Sequence, residues 1–148
     1  MANISFNISK GCVAAYMRTV GTGNAALIVV PIETTGIVSD ATMRDYATLA
    51  DILAGTSNEQ TTMGRKAITS VTVTVDNTND RVDIDCADIT WDAATGNAIS
   101  ALVFCYDPDT TSGDDSSIIP LAKYDLVATP SGAPLVAQIY STGFYRDN

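Results

Sequence analysis

The chain has 148 residues, of which 46% are hydrophobic and only 17% are charged, and its formal net charge is −9. A chain of this length fits one domain that can bury a substantial apolar core without metals or cross-links. The eight basic residues are scattered from Lys10 to Arg146, which argues against direct binding to nucleic-acid phosphates and against docking on an anionic membrane.

The N-terminal third contains two apolar patterns, an alternating one and a continuous one. Ile4, Phe6 and Ile8 alternate with polar residues, which predicts a first strand over residues 4–9. Residues 25–32 form a continuous apolar run rich in β-branched residues, which predicts a strand buried on both faces. This run is too short for a membrane-spanning helix, which needs roughly 20 apolar residues.

The pattern predicts one helix, over about residues 41–54. Asp40 or Thr42 would cap its first turn, and residues 42–45 resemble a capping box with Asp in place of Glu. Its apolar stripe, which includes Leu49, Ile52 and Leu53, would cover an open end or face of the sheet. The pattern does not decide the secondary structure of residues 13–20.

From residue 67 onward the pattern is typical of β-strands. Residues 71–75 and 82–86 alternate on either side of a polar turn, which predicts an antiparallel hairpin. Further strands are predicted at residues 98–106 (a central strand), 117–126 (a strand pair or an extended segment) and 135–140. The predicted fold class is mainly β: an antiparallel β sandwich or barrel with one peripheral α-helix, in a single domain over residues 1–148. Residues 1–9 and 143–148 could extend from it as arms.

The chain lacks the residues of the common catalytic sites. It has no histidine, which removes Ser-His-Asp and Cys-His catalysis and the commonest general base. It has no phosphate-binding glycine motif either. We therefore expect no enzymatic activity, no catalytic residue and no cofactor. The rival interpretation is a small carboxylate-dependent hydrolase that acts on bacterial cell wall.

Carboxylates form two groups with functional potential. Asp83 and Asp85 share the exposed face of a predicted strand, and Asp88 lies nearby. The second group consists of calcium-ligand candidates in an acidic loop: Asp107, Asp109, Asp114 and Asp115. Oxygen ligands suit Ca²⁺, but the spacing matches a calcium-binding loop at its first two positions only, so a solvated loop is favoured. A hydrolase would need a paired-carboxylate cleft, which the sequence does not indicate.

The cysteines and the lone tryptophan are interpreted as structural. Cys12, Cys86 and Cys105 have no metal-binding spacing and predict buried free thiols. A disulfide is the minor alternative, since cytoplasmic proteins rarely keep one. Trp91 predicts a core or interface ring at a strand end, with a carbohydrate-stacking platform as the alternative.

Aromatic and arginine residues also occur on the C-terminal tail, which we do not expect the domain to bury. These residue types are enriched at interface hot spots. The candidate interface residues are Ile4, Phe6, Ile8, Trp91, Phe144, Tyr145 and Arg146.

Several segments resemble small structural proteins of tailed bacteriophages. They are residues 1–11 (MANISFNISKG), 82–91 (VDIDCADITW) with 95–97, 101–103 and 106–107, and 117–121 (SIIPL) with 124–126. The resemblance covers most of the chain and consists of strands and turns without a catalytic signature.

The resemblance implies a virion component that is most similar to a capsid decoration (cement) protein. Such a protein sits on the outer capsid surface, is usually a homotrimer, and has itself and the major capsid protein as partners. A tail, fibre or receptor- and glycan-binding virion protein is the alternative. The first residues lack the basic and apolar regions of a signal peptide, so we expect synthesis in the host cytoplasm.

Overall fold

The computed structural model describes residues 2–147, and 37% of the chain is strand and 12% helix. Its strands are β1 Ile4–Ser5, β2 Ala26–Glu33, β3 Lys66–Ile68, β4 Val71–Asp76, β5 Arg81–Cys86, β6 Ile89–Trp91, β7 Ile99–Asp107, β8 Ile119–Ala128, β9 Leu135–Ala137 and β10 Tyr145–Asp147. All the strand pairs among the described residues are antiparallel. The predicted mainly-β, sandwich-like class is confirmed, and the described strands do not close into a barrel.

Three sheets make up the fold. The largest has five strands in the order β1-β8-β7-β2-β3, the second has the order β10-β5-β4, and the third pairs β6 with β9. The predicted hairpin is present as β4 and β5, with Val71 opposite Cys86 and Val75 opposite Val82. The predicted central strand is β7, which lies between β8 and β2.

The five-stranded sheet is covered on both faces, which explains the continuous apolar runs of β2 and β7. One face contributes to the inner core, which joins this sheet to the other two. Its residues include Leu27, Val29, Leu102, Phe104, Leu121, Ile84, Trp91 and Phe144. The opposite face contributes to the outer core, which includes Ile28, Val30, Val103, Cys105, Ile4, Phe6, Met43, Leu49 and Ile52.

The helices are short: α1 Val13–Met17, α2 Asp40–Met43 and α3 Leu49–Ala54. A single helix over residues 41–54 was therefore a wrong prediction. Ser39 caps α2 by accepting a hydrogen bond from Thr42 N, and Thr48 starts α3 through a capping box with Asp51. Two N-cap side chains nine residues apart nucleate two helices, because a cap fixes the extended backbone at which a helix begins. Leu49 and Ile52 pack in the outer core as predicted.

The predicted arms belong largely to the fold. The first strand covers only Ile4–Ser5, and a 3-10 helix follows at Asn7–Ser9. At the other end, β10 pairs with β5 instead of extending into solvent. Met1 and Asn148, the outermost residues of the two predicted arms, lie outside the described residues.

Other boundaries differ more modestly from the predictions. The segment predicted at residues 117–126 is a single strand, β8, which begins at Ile119 and continues to Ala128. The strand predicted at residues 135–140 is shorter, because β9 covers only Leu135–Ala137. None of the helices formed by residues 2–147 has the length and apolar character to cross a bilayer.

Gly143 makes the turn that returns the C-terminal residues to β5. Its φ is +89°, and a Cβ at this position would lie 2.1 Å from the carbonyl oxygen of Ile84. We expect Gly143→Ala to lower the free energy of unfolding by about 1–3 kcal/mol for the backbone strain alone, plus the cost of moving β5 or the tail. Gly113→Ala is the matched control, because Gly113 has a φ of +65° with no atom within 4 Å of the new Cβ. Equal losses for both variants in urea denaturation would contradict the steric account.

Candidate interaction surface

The N-terminal segment, defined as residues 2–9, lies against the edge of β8. Ile4 pairs with Lys123 and Ser5 with Ala122, and Phe6 N donates to Leu121 O at 3.1 Å. Ile4 and Phe6 are buried in the outer core, and Phe6 is 0% exposed. They are therefore core residues of the closed chain and do not form a free arm.

Ile8 differs from the other two predicted interface residues of the segment. The chain leaves the strand after Ser5 and enters the 3-10 helix, so the alternation of buried positions stops. Ile8 is consequently about half exposed, with 47% of its surface accessible, and it is the one predicted interface residue of the N-terminal segment that the structure leaves at the surface.

An ion-pair centre around the buried Lys123 fixes the N-terminal segment to the rest of the chain, and its two carboxylates are partly exposed. The side chain of Lys123 is 0% exposed, and its Nζ lies 2.7 Å from Oδ1 of Asp40 and 2.7 Å from Oδ1 of Asp125. Asp40 Oδ2 accepts from Ala2 N at 2.6 Å, and Asp125 N donates to Asn3 Oδ1 at 3.0 Å. Burial raises the pKa of Asp40, but the hydrogen bonds from Lys123 and Ala2 outweigh it, so this pKa lies below its ordinary value.

Sequence reasoning missed this centre. Lys123 occupies a strand position opposite Ile4 and Val103, both buried in the outer core. A lysine at such an inward position needs a counter-charge. The only local signal was the aspartate two residues later, since Asp40 comes from a different part of the chain.

Two residues of the C-terminal tail, Phe144 and Tyr145, are also part of the core. Phe144 stacks on Phe104 with ring centroids 5.0 Å apart, and its carbonyl oxygen accepts from the hydroxyl of Tyr124. Burial raises the pKa of Tyr124 to about 12. Tyr145 is buried, and Arg146 at the surface binds Asp83 with an Nε–Oδ1 distance of 2.6 Å. The prediction that the domain could not bury this tail was wrong, because the aromatic rings fill the inner core.

Trp91 lies in the inner core. It is buried, and its Nε1 donates to Gly64 O at 3.0 Å. The Nζ of Lys66 lies 5.9 Å from the ring centroid. A ring enclosed in this way offers no face to a sugar or to a partner protein, so its predicted roles as an interface residue and as a stacking platform do not apply in this conformation.

The four calcium-ligand candidates bind groups of the protein itself. Asp107 Oδ1 accepts from Asp109 N at 2.9 Å, and Asp109 Oδ1 accepts from the hydroxyl and the amide of Thr111. Asp114 accepts from Ser116 in the same way, and Asp115 pairs with Arg65.

These side-chain hydrogen bonds lower the pKa of Asp109 and of Asp114. No group of three or more carboxylate or cysteine side chains with metal-binding geometry occurs within residues 2–147. Asp109 and Asp114 hold turns of the loop itself, whereas Asp115 connects the loop to Arg65.

The strand carboxylates are likewise engaged in the fold. Asp83 lies between Arg81 and Arg146, with distances of 3.2 Å and 2.6 Å. Asp85 accepts from Cys86 N, and Asp88 accepts from an amide of the segment after β9. Each of these aspartates has a local structural role.

The three thiols are free. Cys86 and Cys105 are buried, as predicted. Burial raises the pKa of Cys86 to about 12, and raises that of Cys105 as well. Cys12 is exposed, contrary to the prediction, because it lies in the connection between the 3-10 helix and α1.

One edge of the main sheet is open next to a cleft that is lined by both apolar and polar side chains. β1 covers β8 only at Ala122 and Lys123, so residues 124–128 have no strand partner on that side within the described chain. A cleft of about 580 Å³ lies between β8 and residues 136–144. Its lining includes Phe104, Tyr124, Leu126, Val136, Ile139 and Tyr140. We call this cleft, together with the open edge of β8, the β8 groove.

Apolar side chains of the β8 groove extend into solvent. Tyr140, at the cleft, is 83% exposed. Val127, on the open edge, is 81% exposed, and it alternates with Tyr124 and Leu126, so its side chain lies on the opposite face of β8 from the cleft. Val136 is about half exposed, at 46%. Exposed apolar groups next to an unpaired strand edge are typical of a surface that binds another polypeptide. The β8 groove is therefore the candidate interaction surface.

Comparison of the chain with protein-family models, with curated proteins and with solved structures finds no match.

Proposed function

We propose that the chain is a non-enzymatic structural protein of a tailed-bacteriophage particle, which decorates and stabilises the outer surface of the capsid shell. Its partners are copies of itself, in a homotrimer, and the major capsid protein. The observation that carries the proposal is the β8 groove, where an open strand edge adjoins exposed Val127 and Tyr140.

The energetics of the groove favour a protein partner. Burying one large apolar side chain contributes roughly 1.5–3 kcal/mol, and a strand edge adds backbone hydrogen bonds that fix the register of the partner. Symmetric assembly repeats this gain in every copy. A cement protein needs this kind of contact, since exposed ion pairs contribute only about 0–1 kcal/mol each.

The charge of the surface restricts the partner. Arg65, Arg81, Lys123 and Arg146 are paired with carboxylates of the same chain, and the formal net charge is −9. An acidic surface repels nucleic acid and favours a partner surface that is apolar or basic. A tail or fibre subunit would use the same kind of contact. Electron microscopy distinguishes the two positions in the particle.

The test uses particles assembled without the chain. Purified wild-type chain or a variant is added, and the binding and the thermal stability of the particles are compared. We expect the wild-type chain to bind and to raise the temperature at which the particles release their genome. We expect Val127→Asp to weaken binding at least about tenfold, because a desolvated valine contact of about 1.5 kcal/mol is lost and a charge is placed at the contact.

Val75→Asp is the matched control, because Val75 is 51% exposed but lies on β4 in another sheet. It should bind like the wild-type chain. Particles that neither bind the wild-type chain nor gain stability from it would refute the proposed function. Equal binding by both variants would place the contact elsewhere on the protein. Electron microscopy of the loaded particles then locates the bound chain on the capsid or the tail.

A further inference from the structure

We infer that the N-terminal segment exchanges between copies of the chain, so that β1 of one copy pairs with β8 of the next. The inference rests on the proposed function, since it names the contact that joins the copies on a shell. Three features support it. They are a hinge after the segment, a binding site for the segment formed by β8 and residues 40–45 (the slot), and the burial of the segment's side chains in that slot.

The hinge lies at the connection between the N-terminal segment and α1. Residues 10–12 are exposed, and Gly11 has a φ of +77° with no atom within 4 Å of an added Cβ. Before the hinge, Ile4 and Phe6 pack in the outer core, whereas Val13 and Met17 of α1 pack in the inner core on the other face of the sheet. Across this hinge Cys12 N donates to Ser9 O at 2.9 Å. Rotation at residues 10–12 breaks this one hydrogen bond and moves the segment out of its position while α1 stays in place.

The slot that holds the segment is formed by β8 and by residues 40–45. Besides the β1–β8 pairing, Asn7 N donates to Arg44 O at 2.9 Å and Asn7 Nδ2 donates to Asp45 Oδ1 at 2.6 Å. Ala2 N donates to Asp40 at 2.6 Å. A second copy offers the same donors and acceptors in the same order. Exchange of the segment therefore keeps these contacts and changes only the chain that supplies them. Association by exchange then costs little free energy.

The contacts of the N-terminal segment in the slot make it unfavourable for the segment to leave unless another segment replaces it. Withdrawal of the segment would expose Phe6, which is 0% exposed in the closed chain, and would remove the Ala2 contact from Asp40 next to the buried Lys123. A slot left empty is therefore unstable, and the segment of a neighbouring copy restores both the apolar contact and the polar one.

A pair of cysteine variants tests the exchange. Phe6 N bonds Leu121 O, so the adjoining pair Ser5–Ala122 is of the closer, non-hydrogen-bonded type, with Cα atoms about 4.5 Å apart. A disulfide bridges this distance. Both variants, Ser5→Cys and Ala122→Cys, also carry Cys12→Ser, which removes the exposed thiol and leaves the two buried ones.

Equal amounts of the two variants are unfolded in urea, refolded together at high protein concentration and oxidised. We expect a disulfide between chains in about one quarter of the exchanged contacts, the fraction that random mixing gives to pairs with both cysteines. Peptide mapping should place the bond between positions 5 and 122. A chain that carries both cysteines is the control. Oxidised at low protein concentration as a monomer, it forms the same bond within one chain, which locks the segment.

The outcomes separate the exchange from the proposed function. Absence of the bond between chains, while the double-cysteine chain forms it internally, would overturn the exchange. A locked chain that binds and stabilises particles as well as the unlocked chain would also overturn it, and would leave the proposed function standing. A locked chain that folds, stays monomeric and loses particle stabilisation, all reversed by reductant, is the supporting result. If reduced and wild-type chains both fail to bind particles, the proposed function itself fails.

Discussion

Replacement of Phe144 by alanine should lower the free energy of unfolding by about 3–5 kcal/mol, the range for removing a buried aromatic side chain. Phe144 is buried, stacks on Phe104, and anchors its backbone through Ile84 O at 2.9 Å. Loss of the ring leaves a cavity between the two layers of the fold, and the five-stranded sheet cannot collapse to fill it without moving β10 and β5. Urea denaturation monitored by the fluorescence of Trp91, which lies in the same core, measures the effect.

Tyr140→Ala is the matched control for this prediction. Tyr140 is an aromatic residue four positions earlier, but it is exposed, so its removal should change the free energy of unfolding by no more than about 0.5 kcal/mol. Deletion of residues 143–148 should likewise unfold the domain or destabilise it severely, and not release a folded domain that lacks an arm. A Phe144→Ala protein with wild-type stability would show that the tail does not pack as described.

Removal of the two charges around Lys123 should have a comparably large effect. In the variant Asp40→Asn with Asp125→Asn, the ammonium group stays buried without a counter-charge, and we expect a loss of about 3–5 kcal/mol in the free energy of unfolding. Lys123→Met should cost far less, because it removes the buried charge together with its need for partners. Lys123→Met added to the double-asparagine variant should recover most of the lost stability, and a failure to recover it would contradict the ion-pair account.

The same centre predicts how stability depends on pH. The pKa of Asp40 is lowered from its ordinary value of 3.8 in the folded protein. Its ionised form therefore contributes stability that is fully present above pH 3.8 and is lost as the pH falls through the folded pKa. We expect the wild-type chain to lose more stability than Lys123→Met over this acid range. Denaturation curves at several pH values below 5 measure the difference, and parallel losses in the two proteins would contradict it.

Much of the fold was accessible from local patterns. The hairpin of β4 and β5 has alternating side chains around a polar turn, and β2 and β7 are continuous apolar runs. These features depend on residues within a few positions of one another, so their physical cause is present in the sequence itself. The helix at residues 41–54 was less accessible, because Thr48 and Asp51 could equally continue a helix or cap a new one. Contacts of Met43 and Leu49 with the outer core decide where the two helices lie.

The sequence by itself determined the fold class and the acidic, histidine-free composition, whereas the tertiary structure decided which residues are free to bind a partner. The aromatic tail has the composition of an interface, and so does a tail that completes a core. Only the position of Phe104 and Tyr124 beside Phe144 distinguishes the two. Similarly, Lys123 and Asp40 meet although 83 positions separate them in the chain. Burial and ion pairing are properties of non-local neighbours, so a local pattern cannot specify them, and the β8 groove became visible only when β1 ended after two residues and left the strand edge open.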